Sequence, residues 1–265
     1  MAIAKPAIAA GAVIAALIGT GFGVGSYFYV PDMPTYITVS QLNGSLASTY
    51  TTNTIGNVQQ KYFVDPNDSS NKQWWEWTFK YIFFWSSKDQ LSTEFSKVTE
   101  AYSSNTETSD KHLNKVCETA LKKEKTHFSS NNSKYENDMW NYCSVFIVKP
   151  VTIENSKKKE KYEANTFGVE KTHNFISTQD LRNEFFWRAR NEEFFSESGD
   201  KSGNTATANS FFKKFYDDNK NKPDNRSNIK DQCEAAYKKS SSSTGNNDLN
   251  LANVKQYCSF DVIPA

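Results

Sequence analysis

The chain has 265 residues, enough for one large domain or two small ones, and its formal net charge is +1. A charge this close to zero excludes the strongly basic surface by which proteins attract nucleic acid, so we expect no nucleic-acid partner. The mean hydropathy of −0.69 is low, but aromatic residues make up 14% of the chain, which predicts cores built on Phe, Tyr and Trp.

The N-terminal segment differs from the rest of the chain because no charged residue occurs between Lys5 and Asp32. About twenty apolar residues suffice to cross a bilayer. A cleaved signal peptide is the alternative, but its apolar region is shorter, about 7–15 residues, and a small-residue cleavage site follows it. We predict an uncleaved transmembrane anchor over residues 1–31, with residues 7–30 in the lipid bilayer. Because Lys5 precedes the span, we expect a single-pass protein of the cell membrane with an extracellular C-terminal region.

The rest of the chain contains one pattern twice. The segment Leu113–Lys123 returns as Ile229–Lys239, and their cysteines, Cys117 and Cys233, are 116 residues apart. Further pairs at the same separation are Pro34 with Pro150, Ile37 with Ile153 and Phe95 with Phe211. These separations predict two copies of one module, at residues 32–149 and 150–265.

The periodicity within each module predicts helices. Aromatic and aliphatic residues recur every three or four positions from Trp74 to Trp85, and again from Leu181 to Phe195. Asp68 or Ser70 is expected to cap the first of these helices. Three further helices are predicted per module: 90–102, 109–121 and 135–146 in the first, and 207–218, 225–239 and 249–260 in the second.

All four cysteines lie in the duplicated segments, and in an extracellular region they are expected to form two disulfides. Four cysteines allow three connectivities, but the duplication favours one bridge within each module. We therefore predict the pairs Cys117–Cys143 and Cys233–Cys258, each joining the last helix of a module to the one before it. The predicted fold is all-α: an N-terminal transmembrane helix followed by two duplicated small helical modules, each with one disulfide.

A metal site is the first chemical alternative. The first module holds two histidines and two cysteines, a ligand set that zinc accepts: His112, Cys117, His127 and Cys143. The second module has Asn228 and Ser243 in place of the histidines, so a site common to both modules is excluded. We predict no metal and no cofactor.

An acidic active site is the second alternative. Glu192 and Glu193 are adjacent, and paired carboxylates serve glycosidases, but the first module has Tyr81 and Ile82 at the matching positions. The chain has no glycine-rich phosphate loop, no His-Glu-x-x-His segment and no serine nucleophile elbow. We predict no catalytic residue and no enzymatic activity, with a surface hydrolase using acidic residues kept as an alternative function.

The tryptophans of the first module are the candidate binding patch: Trp74, Trp75, Trp77 and Trp85. They fall on more than one side of a helix, so a single buried stripe cannot hold them all. Exposed aromatic residues of this kind form binding surfaces. The alternative is a helix that lies between others and is buried on most sides.

In several segments the chain resembles the paralogous membrane-anchored surface proteins of haemotrophic mycoplasmas. The similar features are the apolar N-terminus, Pro34–Ile37, Val64–Asp68 ahead of Trp75 and Phe79, Ile229–Cys233, and the closing Asn253–Cys258. Many of those proteins have a single unit, and many have Trp before the final Cys, where this chain has Tyr142 and Tyr257. The resemblance implies a surface-exposed protein of a wall-less bacterium, and it carries no established enzymatic activity.

The function expected from these features is a non-enzymatic cell-surface protein exposed to the host, in adhesion or in an immune-facing role. Its expected partners are host cell-surface or serum proteins. A structural or assembly membrane protein is the other alternative, because small residues four apart let membrane helices pack closely. The glycines that would serve such oligomerisation are Gly19, Gly21, Gly23 and Gly25.

Overall fold

The computed structural model describes residues 31–41, 46–105, 107, 109–128, 133–157, 160–170, 173–222, 226–242 and 248–260. The predicted anchor lies outside the described residues apart from Pro31, as do its glycines. Within the described ranges, none of the helices combines the length and the apolar composition that crossing a membrane requires.

The chain divides into two compact units, with the division between Lys149 and Pro150. Regular secondary structure in the described residues is helical, and their β pairing is confined to isolated bridges. The predicted all-α class is therefore confirmed for this part of the chain.

The described residues of the first unit form five α-helices: α1 (Leu46–Thr49), α2 (Ile55–Val58), α3 (Lys72–Tyr81), α4 (Leu113–Leu121) and α5 (Ser133–Cys143). Short 3₁₀ turns connect them, at Val39–Gln41, Ser69–Asn71, Phe83–Trp85, Lys88–Gln90, Phe95–Lys97 and Lys125–Phe128.

The part of the second unit that the structure describes also forms five: α6 (Phe167–Glu170), α7 (Glu184–Phe194), α8 (Phe211–Asn219), α9 (Ile229–Tyr237) and α10 (Leu251–Cys258). Its 3₁₀ turns are Leu181–Asn183 and Gly203–Thr205.

The two aromatic helices, α3 and α7, begin in the same way. Asp68 accepts a hydrogen bond from the backbone N–H of Ser70, and Asp180 accepts one from Arg182. Each carboxylate caps a 3₁₀ turn that leads directly into the α-helix, because the first N–H groups of a helix have no partner within it. Of the two predicted caps, Asp68 is therefore the one that acts.

A buried asparagine follows each cap and joins three pieces of backbone. Asn71 accepts the N–H of Ile37 at 2.7 Å and donates to the carbonyls of Ile37 and Asp65, both at 2.8 Å. Asn183 makes the same three bonds, to the N–H of Val151 at 2.7 Å and to the carbonyls of Val151 and Ser177 at 2.8 Å. Each amide thus ties the start of its unit to the start of the aromatic helix.

The hydrogen bonds at the start of each unit correct the predicted alignment. Val39 donates to the carbonyl of Phe63 at 2.9 Å, and Ile153 donates to that of Phe175 at the same distance. Ile153 therefore has the contacts of Val39, and the pairing of Ile37 with Ile153 is wrong by two residues. The pairing of Pro34 with Pro150, which used the same separation, is wrong for the same reason.

The predicted helix over residues 90–102 is absent, although its copy exists as α8. The segment has 3₁₀ turns at Lys88–Gln90 and Phe95–Lys97 and is otherwise irregular. The N–H groups of Thr99 and Glu100 both donate to the carbonyl of Lys111 at 2.9 Å. These tertiary hydrogen bonds replace the i to i−4 bonds of a helix at a β-branched pair, Val98–Thr99, that favours an extended backbone.

The structure also corrects the pairing of Phe95 with Phe211. Phe95 is fully buried, with its ring centroid 5.6 Å from that of Tyr142. In the second unit the fully buried ring is Phe212, at 4.6 Å from Tyr257, rather than the predicted Phe211. Large aromatic side chains fill both cores, as the composition predicts, and the fully buried ones include Trp74, Trp75, Trp140, Trp187, Tyr237, Tyr257, Phe95 and Phe175.

Candidate functional site

Both predicted disulfides are confirmed. Cys117 in α4 is bonded to Cys143 at the end of α5, and Cys233 in α9 is bonded to Cys258 at the end of α10. The Cα–Cα distance is 5.6 Å in each, and all four cysteines are fully buried. Each bridge joins the last helix of a unit to the helix before it, so these cysteines hold structure rather than present a reactive thiol.

The zinc alternative fails because both cysteines of its ligand set are oxidised. His112 lies with Nε2 3.1 Å from a carboxylate oxygen of Glu100, and the ring of His127 packs against Phe128 at 5.3 Å. Among the residues that the structure describes, no three His, Cys, Asp or Glu side chains form a group that could hold a metal ion.

The predicted tryptophan patch is wrong for three of its four members. Trp74 and Trp75 are fully buried, with ring centroids 4.8 Å apart, and Trp77 is 5% exposed. Helix α3 is covered on several sides, which is the alternative that the sequence left open. Three tryptophans can therefore be buried on different sides of one helix.

Trp77 makes a contact that the sequence did not predict. Its indole Nε1–H donates to the carbonyl of Pro31 at 2.9 Å. Pro31 is the first described residue and directly follows the apolar N-terminal segment. This hydrogen bond thus connects α3 to the residue at which the chain leaves the apolar segment.

Trp85 is the exposed member of the set, and it has a partner. Phe84 is 67% exposed and Trp85 is 38% exposed, and their rings meet edge to face with centroids 5.6 Å apart. Both lie on the 3₁₀ turn that follows α3, which is fixed by the buried Phe83 ring at 5.0 Å from Tyr142. The exposure of Phe84 was not predicted from the sequence, because its spacing placed it on an apolar face of the helix. The sequence signal that could have indicated it is the run of three aromatic residues, Phe83 to Trp85, because a single turn cannot bury all three.

Exposed charged residues lie on both sides of this aromatic pair in the sequence. Lys80 is exposed, with its Nζ 5.1 Å from the centroid of the Tyr81 ring, and Lys88 is exposed on the next 3₁₀ turn. Asp89 is the nearby acid; a hydrogen bond from the Ser87 hydroxyl lowers the pKa of its carboxyl, which is therefore ionised at neutral pH. The exposed aromatic pair is thus flanked in the sequence by two lysines and one aspartate.

The second unit covers the equivalent position. Phe194 has the place of Phe83, with its ring 5.3 Å from Tyr257. The next residue, Phe195, lies under the guanidinium of Arg226 at 4.1 Å and stacks on Tyr216 at 5.9 Å. Ser196 then stands where the first unit has Trp85. The second unit has no matching pair of exposed aromatic side chains among its described residues.

A buried arginine is the other marked difference between the units. Arg190, seven residues after Asn183, is 1% exposed and donates to the carbonyls of Gln256 and Ser259, both at 3.3 Å. These carbonyls belong to the end of α10, where the helix dipole and the unpaired acceptors favour a cation. Thr78 holds the matching place after Asn71 in the first unit.

The acidic pair of the second unit is divided between two environments. The Glu193 carboxylate lies 3.5 Å from Nε of Arg190, whereas the Glu192 side chain is exposed. Glu193 thus neutralises a buried charge, which accounts for one of the two carboxylates without catalysis. The hydrolase alternative gains no support from this geometry.

Comparison of the sequence with protein-family models, with curated proteins and with solved structures gives no match in any of the three. The resemblance to mycoplasma surface proteins stays a prediction, and functional inference rests on the geometry above.

Proposed function

We propose that this chain is a non-enzymatic, membrane-anchored protein of the cell surface, exposed to the host in adhesion or in an immune-facing role. The observation that carries the proposal is the pair of disulfides, one within each unit. Disulfides of this structural kind persist in oxidising, extracytoplasmic environments and are rare where thiols are kept reduced. The residues that the units have in common therefore favour a chain whose folded part lies outside the cell.

The apolar N-terminus supports the anchor in this proposal. It is free of charge from residue 6 to residue 31 and ends where the first unit begins. A chain anchored there by a single span would hold both units at the outer membrane face, within reach of host cell-surface or serum proteins.

The repeated structural features support a scaffold rather than an active site. We infer that the units are copies of one module, because the aspartate caps, the asparagine clamps and the disulfides occur in both. The features that differ, such as Arg190 and the Phe84–Trp85 pair, pack a core or lie on a surface. A module reused in this way suits a protein that presents a surface to partners.

Membrane topology tests the first part of the proposal. The full chain with a C-terminal epitope tag is expressed in bacterial cells, which are then treated intact with protease. We expect loss of the tag without lysis. A tag that is protected in intact cells and cleaved only after lysis would contradict the extracellular placement.

Binding to host material tests the second part. Vesicles that carry the full chain are incubated with host cells and with serum, and empty vesicles of the same lipid provide the background. We expect saturable binding that is lost when the disulfides are reduced and alkylated, because the presented surface depends on the fold. Binding equal to that of empty vesicles would remove the host-facing role while leaving the anchor intact.

A further inference from the structure

We propose that the exposed pair Phe84–Trp85 is a second membrane contact, which seats the first unit against the headgroup region of the bilayer that holds the N-terminal anchor. This inference rests on the anchor of the proposed function and adds to it a specific surface that faces the lipid. The anchor holds the chain by one segment alone, whereas the aromatic pair fixes which side of the unit faces the membrane.

The position of the pair relative to the end of the apolar segment carries the argument. Trp77 binds the carbonyl of Pro31 at 2.9 Å, so this point of α3 lies directly beside the exit of the chain from the apolar segment. Phe84 and Trp85 follow on the same helix and its 3₁₀ extension, roughly 10 Å farther along the axis. In a chain anchored by residues 7–30, one short stretch of the first unit, Trp77 to Trp85, therefore contains both the tryptophan that binds Pro31 at the membrane exit and the two exposed rings.

The chemistry of the surface suits the interface between lipid and water. Tryptophan is enriched at the headgroup level of membranes, where its ring is partly apolar and its N–H meets water. Lysines beside such rings place their charge among the headgroups. Lys80, four residues before Phe84, and Lys88, three residues after Trp85, are both exposed. Phe84 supplies the apolar contact, with two thirds of its surface open to solvent.

The second unit provides an internal comparison. There the phenylalanine is covered by Arg226, a serine replaces Trp85, and Ala189 stands where the first unit has Trp77. The module therefore folds without an exposed pair and without the tryptophan that binds Pro31. Both features occur in the unit that adjoins the apolar segment, which is the unit that a membrane surface would meet.

Lipid quenching of tryptophan fluorescence tests the contact. The full chain is reconstituted in phosphatidylcholine vesicles with and without lipids brominated near the headgroup end of the acyl chain. We expect bromine to quench part of the tryptophan emission of the unaltered chain, and Trp85→Phe to remove at least half of that quenching. The matched control Trp187→Phe, which alters a buried ring of the second unit, should leave the quenched intensity unchanged. Equal quenching in the unaltered chain and in Trp85→Phe overturns the proposal.

Two further measurements separate the possible failures. Flotation of the chain with the vesicles reports the anchor: a chain that does not float overturns both the anchor and the docking. If the chain floats but Trp85→Phe changes neither the quenching by bromine nor the quenching by aqueous iodide, protein covers the aromatic pair instead. Sedimentation in detergent then distinguishes a second copy from the chain's own N-terminal segment, and either result overturns the membrane contact. Phe84→Ser, with Trp85 retained, should reduce the bromine quenching as well.

Discussion

The buried guanidinium of Arg190 shows how a single side chain fits the core of the second unit. It neutralises the end of α10 through two carbonyls, pairs with Glu193, and lies 5.1 Å from the centroid of the Phe186 ring. The first unit has the smaller Thr78 in that position and the larger Trp74 in the position of Phe186. The first unit thus combines a small Thr78 with a large Trp74, whereas the second combines a large Arg190 with a smaller Phe186.

Replacing Arg190 should therefore destabilise the chain. Arg190→Met keeps an unbranched apolar stem but leaves two carbonyls and the Glu193 carboxylate without their cation. We expect the free energy of unfolding to fall by about 3 kcal/mol, as when one partner of a buried ion pair is removed. Denaturant unfolding followed by circular dichroism measures the change. Lys255→Met, on the exposed side of α10, is the control and should stay within about 0.5 kcal/mol of the unaltered chain.

The same pair of positions predicts a rescue. Arg190→Thr alone should be as damaging as Arg190→Met, but Phe186→Trp combined with Arg190→Thr reproduces the side chains of the first unit. We expect the double variant to be more stable than Arg190→Thr by about 1 kcal/mol, since residues in contact couple by such amounts. Strictly additive effects in a double-mutant cycle would show that the side chains at positions 186 and 190 do not interact energetically.

Asp138 gives a prediction of pH dependence. Burial raises the pKa of its carboxyl above the ordinary 3.8, partly opposed by a hydrogen bond from the N–H of Ser92 at 2.7 Å. Because the folded state holds the proton more tightly than the unfolded state, ionisation of Asp138 lowers stability as the pH rises from about 4 through the raised pKa. Asn253, five residues before Cys258, has the matching place in the second unit.

Asp138→Asn should remove this penalty, because an amide oxygen can still accept the Ser92 N–H without carrying charge. We expect the variant to exceed the unaltered chain in stability by about 1 kcal/mol at pH 7. The difference should shrink as the pH falls through the raised pKa and vanish towards about pH 3, where the carboxyl is protonated in both the folded and the unfolded state. The free energy of unfolding between pH 3 and pH 8 tests this. A gain that is independent of pH would assign the effect to packing instead.

At the scale of secondary structure, the asparagine clamps decide where the aromatic helices start. Asn71 and Asn183 are fully buried, and each makes three hydrogen bonds to backbone groups. Neither asparagine was singled out by sequence analysis, because a single Asn ahead of a helix is a common sequence feature. Its three partners lie up to 34 residues away, so only the folded chain identifies its role.

Asn71→Ala and Asn183→Ala should each lower the free energy of unfolding by about 3 kcal/mol, because three buried hydrogen bonds are lost together. Asn155→Ala, on an exposed turn, is the control and should have almost no effect. Thermal unfolding of the three variants gives the comparison. If either clamp variant matched the control, water would be replacing the amide and the clamp would not be a stabilising element.

The secondary structure also shows where periodicity succeeds and where it fails. Helices α3, α4 and α5 were predicted because each carries apolar residues at helical spacing with a polar segment before it. The predicted helix over residues 90–102 was wrong although Phe95 is buried, because Lys111 supplies the backbone acceptor that a helix would have supplied internally. Local spacing cannot report a hydrogen bond to a residue twelve positions away.

At the scale of the whole molecule, the two disulfides each close a similar loop, with sequence separations of 26 and 25 residues. The similarity of these loops gives a direct prediction. Cys117→Ala with Cys143→Ala, and Cys233→Ala with Cys258→Ala, should each lower the free energy of unfolding by about 3.5 kcal/mol in the chain-entropy description. Denaturant unfolding of the full chain measures both. A loss confined to one pair would mean that the other bridge is strained or lies in a region that stays structured when unfolded.

The candidate site was only partly predictable from the sequence. The cysteine pairs were predicted correctly because a duplicated pattern leaves one connectivity that serves both copies. The tryptophans were located correctly but assigned the wrong exposure, since spacing gives the side of a helix and not what covers it. The exposure of Phe84 depends on the tertiary structure, in which the Phe83 side chain is buried and that of Phe84 is left in solvent.

The sequence alone determined the all-α class, the duplicated pattern and the cysteine pairing, because helical spacing and repeated order are local properties of the chain. The tertiary structure decided which aromatic residues are buried, that the guanidinium of Arg190 lies buried at the end of α10, and that residues 90–102 do not form a helix. Each of these depends on groups brought together from distant positions. The Phe84–Trp85 surface belongs to that second class, since exposure is a property of the packed unit and not of the residue.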